Sequence, residues 1–211
     1  MKIADTACLA KGYVNPSFVD VRTGERIPFK IRHNTLSYMS AEAMAAAFGG
    51  DPSYIPSKVG FIYGESNNAP DIGGRLQTWE SLKNGLASAS ADVQVVSFSY
   101  SPSLGGEKQG NSSDSSSSSS SFDESVYCNI KPTGSNAITF HAVSNSSDGG
   151  EIDKSSVFKA QDRIFQAVLL GFNAGKHYVI SRVSLYDDNA GDYLQKPENF
   201  EVSLDWTIVF R

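Results

Sequence analysis

The chain reads as a mainly β protein, an antiparallel sandwich of jelly-roll style carrying two short helices. Apolar and polar residues alternate with period two in one run after another, and Gly, Asn and Asp separate the runs. The charged fraction is only 19%, beside 12 Phe and 9 Tyr. Alternation sends successive side chains to opposite faces of a sheet, where aromatic rings pack well. The strand–helix–strand order of a parallel sheet is absent, as is any repeat.

The first element is a hairpin in SFVDVRTGERIPFKIRH, residues 17–33. Two alternating runs flank Thr23-Gly24-Glu25, and Gly24 accepts positive φ without a Cβ penalty. Pro28 removes a backbone donor, which suits an edge strand or a bulge. A helix over about 40–48 follows in SYMSAEAMAAAFGGDP. Ser40 caps it, Glu42 sits in the first turn, and Gly49-Gly50 stops it before Pro52. Met39, Met44 and Phe48 are expected to face the core. The alanine face allows close approach to the chain's own sheet or to a neighbouring subunit.

Residues 59–63 form a short buried strand. The GESNNAPDIGG stretch at 64–74 precedes a helix, but without a GK[ST] it reads as a plain loop rather than an anion seat. Leu76, Trp79, Leu82 or Lys83, and Leu86 recur at helical spacing and place the second helix over about 77–87. In ADVQVVSFSYSPS, Val96, Phe98 and Tyr100 alternate with Ser97, Ser99 and Ser101. Five further strands follow the serines: VYCNI, AITFHAV, RIFQAVLLGF, HYVISRVSLYD and FEVSLDWTIVF. The last puts Phe200, Val202, Leu204, Trp206, Ile208 and Phe210 on one face. Glu201, Ser203, Asp205 and Thr207 lie on the other.

GNSSDSSSSSSSFDE, at 110–124, raises the question of one module or two. Residues 1–109 hold few short strands to cover two helices, so a single domain over 1–211 is preferred, with a long Ser-rich loop at about 102–124. The alternative is two modules, 1–109 and 122–211. A single domain of 211 residues buries roughly 70% of its unfolded surface and needs no staple.

Composition narrows the function. The net charge is −5, and no basic stripe marks a nucleic-acid site. Arg22, Arg26, Lys30 and Arg32 alternate with apolar residues and read as the solvent face of the hairpin. Cys8 and Cys128 read as two buried thiols rather than a disulfide, and no zinc spacing occurs. The start of the chain lacks an uninterrupted apolar core, and no run reaches the length of a membrane span, so synthesis in the cytoplasm without export is expected. The sequons at Asn111 and Asn145 then read as incidental.

No nucleophile elbow is present. His33, His141 and His177 lie in or beside strands with no Cys, Asp or Glu at ligand spacing, and are read as structural. Asp148, Glu151 and Asp153, like Asp187, Asp188 and Asp192, sit in loops where turn chemistry accounts for them better than calcium. Catalytic residues, metal ligands and cofactors are therefore all assigned as none. Tyr186 and Tyr193 flank the loop YDDNAGDY. With Asp187, Asp188, Asn189 and Asp192 they are the candidate exposed contact residues.

LSYMSAEAMAAAFGGDPSYIPSKVGFIYG, TFHAV and VISRVSLYDDNAGDYLQKPENFEVSLDWTIVF together resemble a class of virion structural proteins of tailed bacteriophages. The resemblance implies a β-rich, non-enzymatic protein made in the host cytoplasm that assembles on a capsid, neck, tail or fibre. Capsid decoration is placed first. The implied partners are other copies of the chain and other virion proteins, with neither nucleic acid nor membrane bound directly. A carbohydrate-binding or host-recognition module at Tyr186 and Tyr193 is the alternative. A sandwich hydrolase of cell-wall polysaccharide is the weaker third reading, and it requires a pocket with two perturbed carboxylates.

Overall fold

The computed structural model describes residues 10–34, 45–65, 78–98, 103–104, 137–144, 149–155 and 157–210. The first strands are β1 (Ala10–Asp20), β2 (Arg26–Pro28), β3 (Arg32–Asn34) and β4 (Pro56–Gly64). Helix α1 (Trp79–Ser88) is followed by β5 (Asp92–Ser97), β6 (Ser103–Leu104) and β7 (Ala137–Val143). The remaining strands are β8 (Arg163–Asn173), β9 (Lys176–Ser184), β10 (Tyr186–Asp187), β11 (Asp192–Gln195) and β12 (Phe200–Phe210). They form two antiparallel six-stranded sheets. One runs β2-β1-β12-β7-β6 with β3 also on β1, and the other runs β10-β11-β8-β4-β5 with β9 also on β8. Each sheet draws strands from both sides of the serine tract, which itself lies outside the described residues.

The inner faces of the two sheets share one core. Val14, Phe18, Phe140, Leu204 and Trp206 come from the first sheet, and Val59, Phe61, Ile164, Leu169 and Ile180 from the second. The mainly β, sandwich-like architecture expected from alternation is therefore observed. The second sheet is covered on its outer face as well. Trp79, Leu82 and Leu86 of α1 pack on Ile62, Val93, Phe165, Val168 and Leu170. Coverage on both faces explains why β8 reads as an almost continuous apolar run. A register shift at Ile62/Tyr63 marks a bulge in β8. It lets Ile164 and Ala167, three apart, both enter the inner core.

Helix α1 begins where Thr78 accepts a hydrogen bond from the Ser81 amide at 3.2 Å, close to the expected start at 77. The other helix is described only at 45–48, and Ser40, Glu42, Met39 and Met44 lie outside the described residues. It ends as expected, with the Gly49 and Asp51 amides donating to the carbonyls of Ala45 and Ala46. Gly50 takes φ +89°. Phe48 corrects the expectation of a core position, because it is 81% exposed.

The hairpin itself pairs only Ser17–Val19 with Arg26–Pro28, but its first strand is longer than the alternating segment. All 11 residues of β1 pair with β12, from Ala10↔Phe210 to Asp20↔Phe200. Gly24 takes φ +72° in the turn, and Pro28 lies in edge strand β2. Pro16 poses a sharper problem, because β1 has neighbours on both sides. Its carbonyl accepts from the Phe29 amide at 3.0 Å, so its missing N–H faces the same edge. There β2 has ended and β3 has not begun, so no ladder bond is lost.

The polar face of β12 is buried as well as its apolar one: Ser203, Asp205 and Thr207 are 1%, 6% and 0% exposed. Polar pairing across strands accounts for two of the three: His141 meets Asp205, and the Thr139 and Thr207 hydroxyls bond at 2.9 Å. Ser103 and Leu104, assigned to the long loop, pair with Thr139 and Ile138 of β7. The expected strand at 126–130, Tyr100 and both cysteines lie outside the described residues.

Candidate functional site

The YDDNAGDY segment folds as a small hairpin, β10 paired with β11 through Tyr186↔Tyr193 and Asp187↔Asp192. Its turn closes in the way Asp, Asn and Gly favour. The Asp187 carboxylate accepts from the Asn189 amide at 3.0 Å, and the Gly191 amide donates to the Asp187 carbonyl at 2.8 Å. Gly191 takes φ +69°.

All six candidate contact residues therefore share one hairpin, but they are not equally available. Tyr186 is 38% exposed, and Asp188 and Asn189 are exposed. Asp187, Asp192 and Tyr193 are half-buried, which corrects the expectation that all six are surface groups. Tyr193 is wedged edge-on between two rings, with centroids 5.0 Å from Tyr186 and 5.2 Å from Phe165. Burial raises its phenol pKa, with smaller contributions from Tyr186 and Asp192.

Two arginines complete the site. Arg163 of β8 donates through Nε to Asp192 at 3.3 Å. Arg32 of β3 reaches from the other sheet, its guanidinium 3.9 Å from both Asp187 and Asp188. Only 11% of the Arg32 side chain is exposed, so it is not part of a solvent face as the hairpin pattern suggested. Arg22 fits that pattern better, being 67% exposed beside Asp20. No local spacing pointed to Arg32 or Arg163, since both meet their carboxylates through tertiary contacts.

Chemically, the hairpin offers one accessible aromatic face beside carboxylates and an amide. Such a set suits a polyhydroxylated ring, whose C–H face stacks on Tyr186 while hydroxyls bond to Asp188 and Asn189.

The other candidate groups fall elsewhere. His141 Nδ1 lies 2.5 Å from Asp205 Oδ1 in a buried cross-strand pair that linear spacing did not reveal. His33 packs edge-on to Tyr13. His177 lies between Trp79 and Phe172, and burial lowers its pKa. Asp153 is engaged in a turn, accepting from the Ser155 amide and hydroxyl at 2.9 and 2.6 Å. Asp148 lies outside the described residues, and among those described no three His, Cys, Asp or Glu side chains group as a metal site.

A groove of about 400 Å³ runs between the end of β4, the end of α1 and the 149–162 segment, with Asp92 and Asp162 in its lining. Burial raises the pKa of Asp162, although the Lys159 amide donates to its carboxylate at 2.6 Å. Asp92 has a structural task, accepting from the amides of Ile152 and Asp153 at 3.0 and 3.2 Å.

Comparison of the chain with protein-family models, with curated proteins and with solved structures finds no match. No helix among the described residues is long and apolar enough to cross a membrane.

Proposed function

We propose that this chain is a non-enzymatic structural protein of a tailed-phage particle, built to contact copies of itself and other virion proteins. Capsid decoration is placed ahead of a neck, tail or fibre role. The resemblance described above motivates the reading, and exposed apolar side chains support it. Phe48, Ile55 and Phe172 are 81%, 50% and 41% exposed. Ile55 and Phe172 flank the same rung of the second sheet, Pro56↔Gly171. Apolar area left in water forgoes about 25 cal/mol per Å², which an interface between copies recovers.

Light scattering on the purified protein, with mass spectrometry and negative-stain imaging of particles, tests this reading. Expected are a defined oligomer or particle-bound protein, and weaker association after Phe48→Glu or Phe172→Glu. A strictly monomeric chain absent from particles overturns it.

The exposed Tyr186 ring beside Asp188 and Asn189 favours a second reading, a glycan-recognition module on a fibre or tail tip. A glycan array with the wild type and Tyr186→Ala separates the two. Binding lost in the variant supports recognition, and no binding by the wild type removes it.

A further inference from the structure

A second groove, of about 360 Å³, lies between the first hairpin and the segment leading into β12. Its lining includes Val21, Phe158, Lys159, Lys196, Glu198 and Phe200. The Val21 amide donates to the Asn199 carbonyl at 3.0 Å and joins the two lips.

Lys196 is the unusual member. It follows β11 directly and is 4% exposed. Its backbone is anchored on both sides, donating to the Asp162 carbonyl at 3.0 Å and accepting from the Gln161 amide at 2.8 Å. Its ammonium, by contrast, has no hydrogen-bond acceptor or ion-pair partner among the described residues. The Nζ atom stands 5.9 Å from the centre of the Phe158 ring, one wall of the groove. Burial lowers its pKa, while Asp162 and Glu201 oppose the shift from beyond contact distance.

A largely buried lysine whose ammonium has no protein acceptor is a ready partner for an anion that reaches it from the groove. A cation–π contact at nearly 6 Å is a weak substitute. The groove's dimensions and walls define what would meet it. Its volume is at the small end of ligand sites, and Val21, Phe158 and Phe200 give it apolar sides. Glu198 at the groove, with Glu201 and Asp162 nearby, balances Lys159 and Lys196 and favours a ligand with a single negative charge. We propose that this groove binds a small monocarboxylate with an apolar body, the carboxylate paired with Lys196 and the body held against Phe158, Phe200 and Val21.

The proposal is independent of the assembly and glycan readings. It is tested by titrating the full chain with hexanoate and, in parallel, with neutral hexanamide, followed by amide chemical shifts. Expected are saturable shifts confined to residues near 21, 157–160 and 196–200. Affinity should fall about tenfold or more for hexanamide, and likewise for hexanoate with Lys196→Met, which keeps the apolar stem. The hexanamide arm uses the wild-type chain, so it stands even if the variant folds poorly. A parallel titration with an apolar dipeptide, its C-terminus free or amidated, distinguishes a free acid from a chain end as the source of the carboxylate. Preference for the free C-terminus supports the same chemistry. Equal binding of hexanoate and hexanamide, shifts centred elsewhere, or no saturable shift with either carboxylate overturns the proposal.

Discussion

Replacing Asp92 by alanine releases the clasp that holds the 149–155 segment against the second sheet. Asp92 is 6% exposed, and its carboxylate accepts from the amides of Ile152 at 3.0 Å and Asp153 at 3.2 Å. Its contact with its neighbour Val93 at 2.7 Å is forced by the chain and is not counted. Charge-assisted bonds to backbone contribute about 1.5–3 kcal/mol each, and water replaces part of what the exposed Asp153 loses. The expected cost is about 3 kcal/mol, and at about 2–4 °C per kcal/mol for a chain of this size the midpoint falls by about 6–12 °C. Asp92→Asn keeps one acceptor and should lose about half as much.

Gly150 supplies an internal check, because a Cβ there would collide with the Asp92 carboxylate. Gly150→Ala should therefore destabilise the wild type clearly and the Asp92→Ala variant much less, a non-additive cycle. Thermal unfolding followed by circular dichroism, with hydrogen exchange at Ile152 and Asp153, measures both effects. A midpoint within about 2 °C of wild type, unchanged exchange and additive costs would refute the clasp.

Two further outcomes are expected. Leu204→Ala removes a fully buried side chain between the sheets and should cost about 2–5 kcal/mol in denaturant unfolding; a cost below 1 kcal/mol would contradict the shared core. Asp20 is held at a pKa of about 2, below its ordinary 3.8, chiefly by the hydrogen bond from the Arg22 side chain. A depressed folded-state pKa stabilises the fold above pH 3.8, and that contribution disappears as pH falls towards about 2. The midpoint difference between wild type and Asp20→Asn should thus shrink over that interval, and a constant difference from pH 6 to pH 2 would count against the pairing.

Much of the strand structure is legible in residue order. β7 and β12 coincide with AITFHAV and FEVSLDWTIVF, because period-two alternation and flanking turn residues mark both ends. α1 follows from Trp79, Leu82 and Leu86 at helical spacing, all three of them buried. The YDDNAGDY hairpin is equally local, since Asp187, Asn189 and Gly191 carry its turn geometry within a few residues. What surrounds the hairpin is not local. Arg32 lies more than 150 positions from Asp187 in sequence and meets it because β3 approaches β9.

Taken alone, residue order determined the β class, the bounds of β7, β8 and β12 to within a residue, the second helix and the turn that gathers the six candidate residues. These depend on backbone geometry repeating over two to four residues, which a linear pattern records directly. Tertiary structure alone decided that β1 runs from Ala10, because its eleven pairs are with β12 at the far end of the chain. It also decided that the polar face of β12 is buried, that Phe48 is exposed, and that the buried Lys196 lines a groove. Alternation separates the two faces of a strand; which face is covered depends on what packs there, and that partner comes from distant sequence.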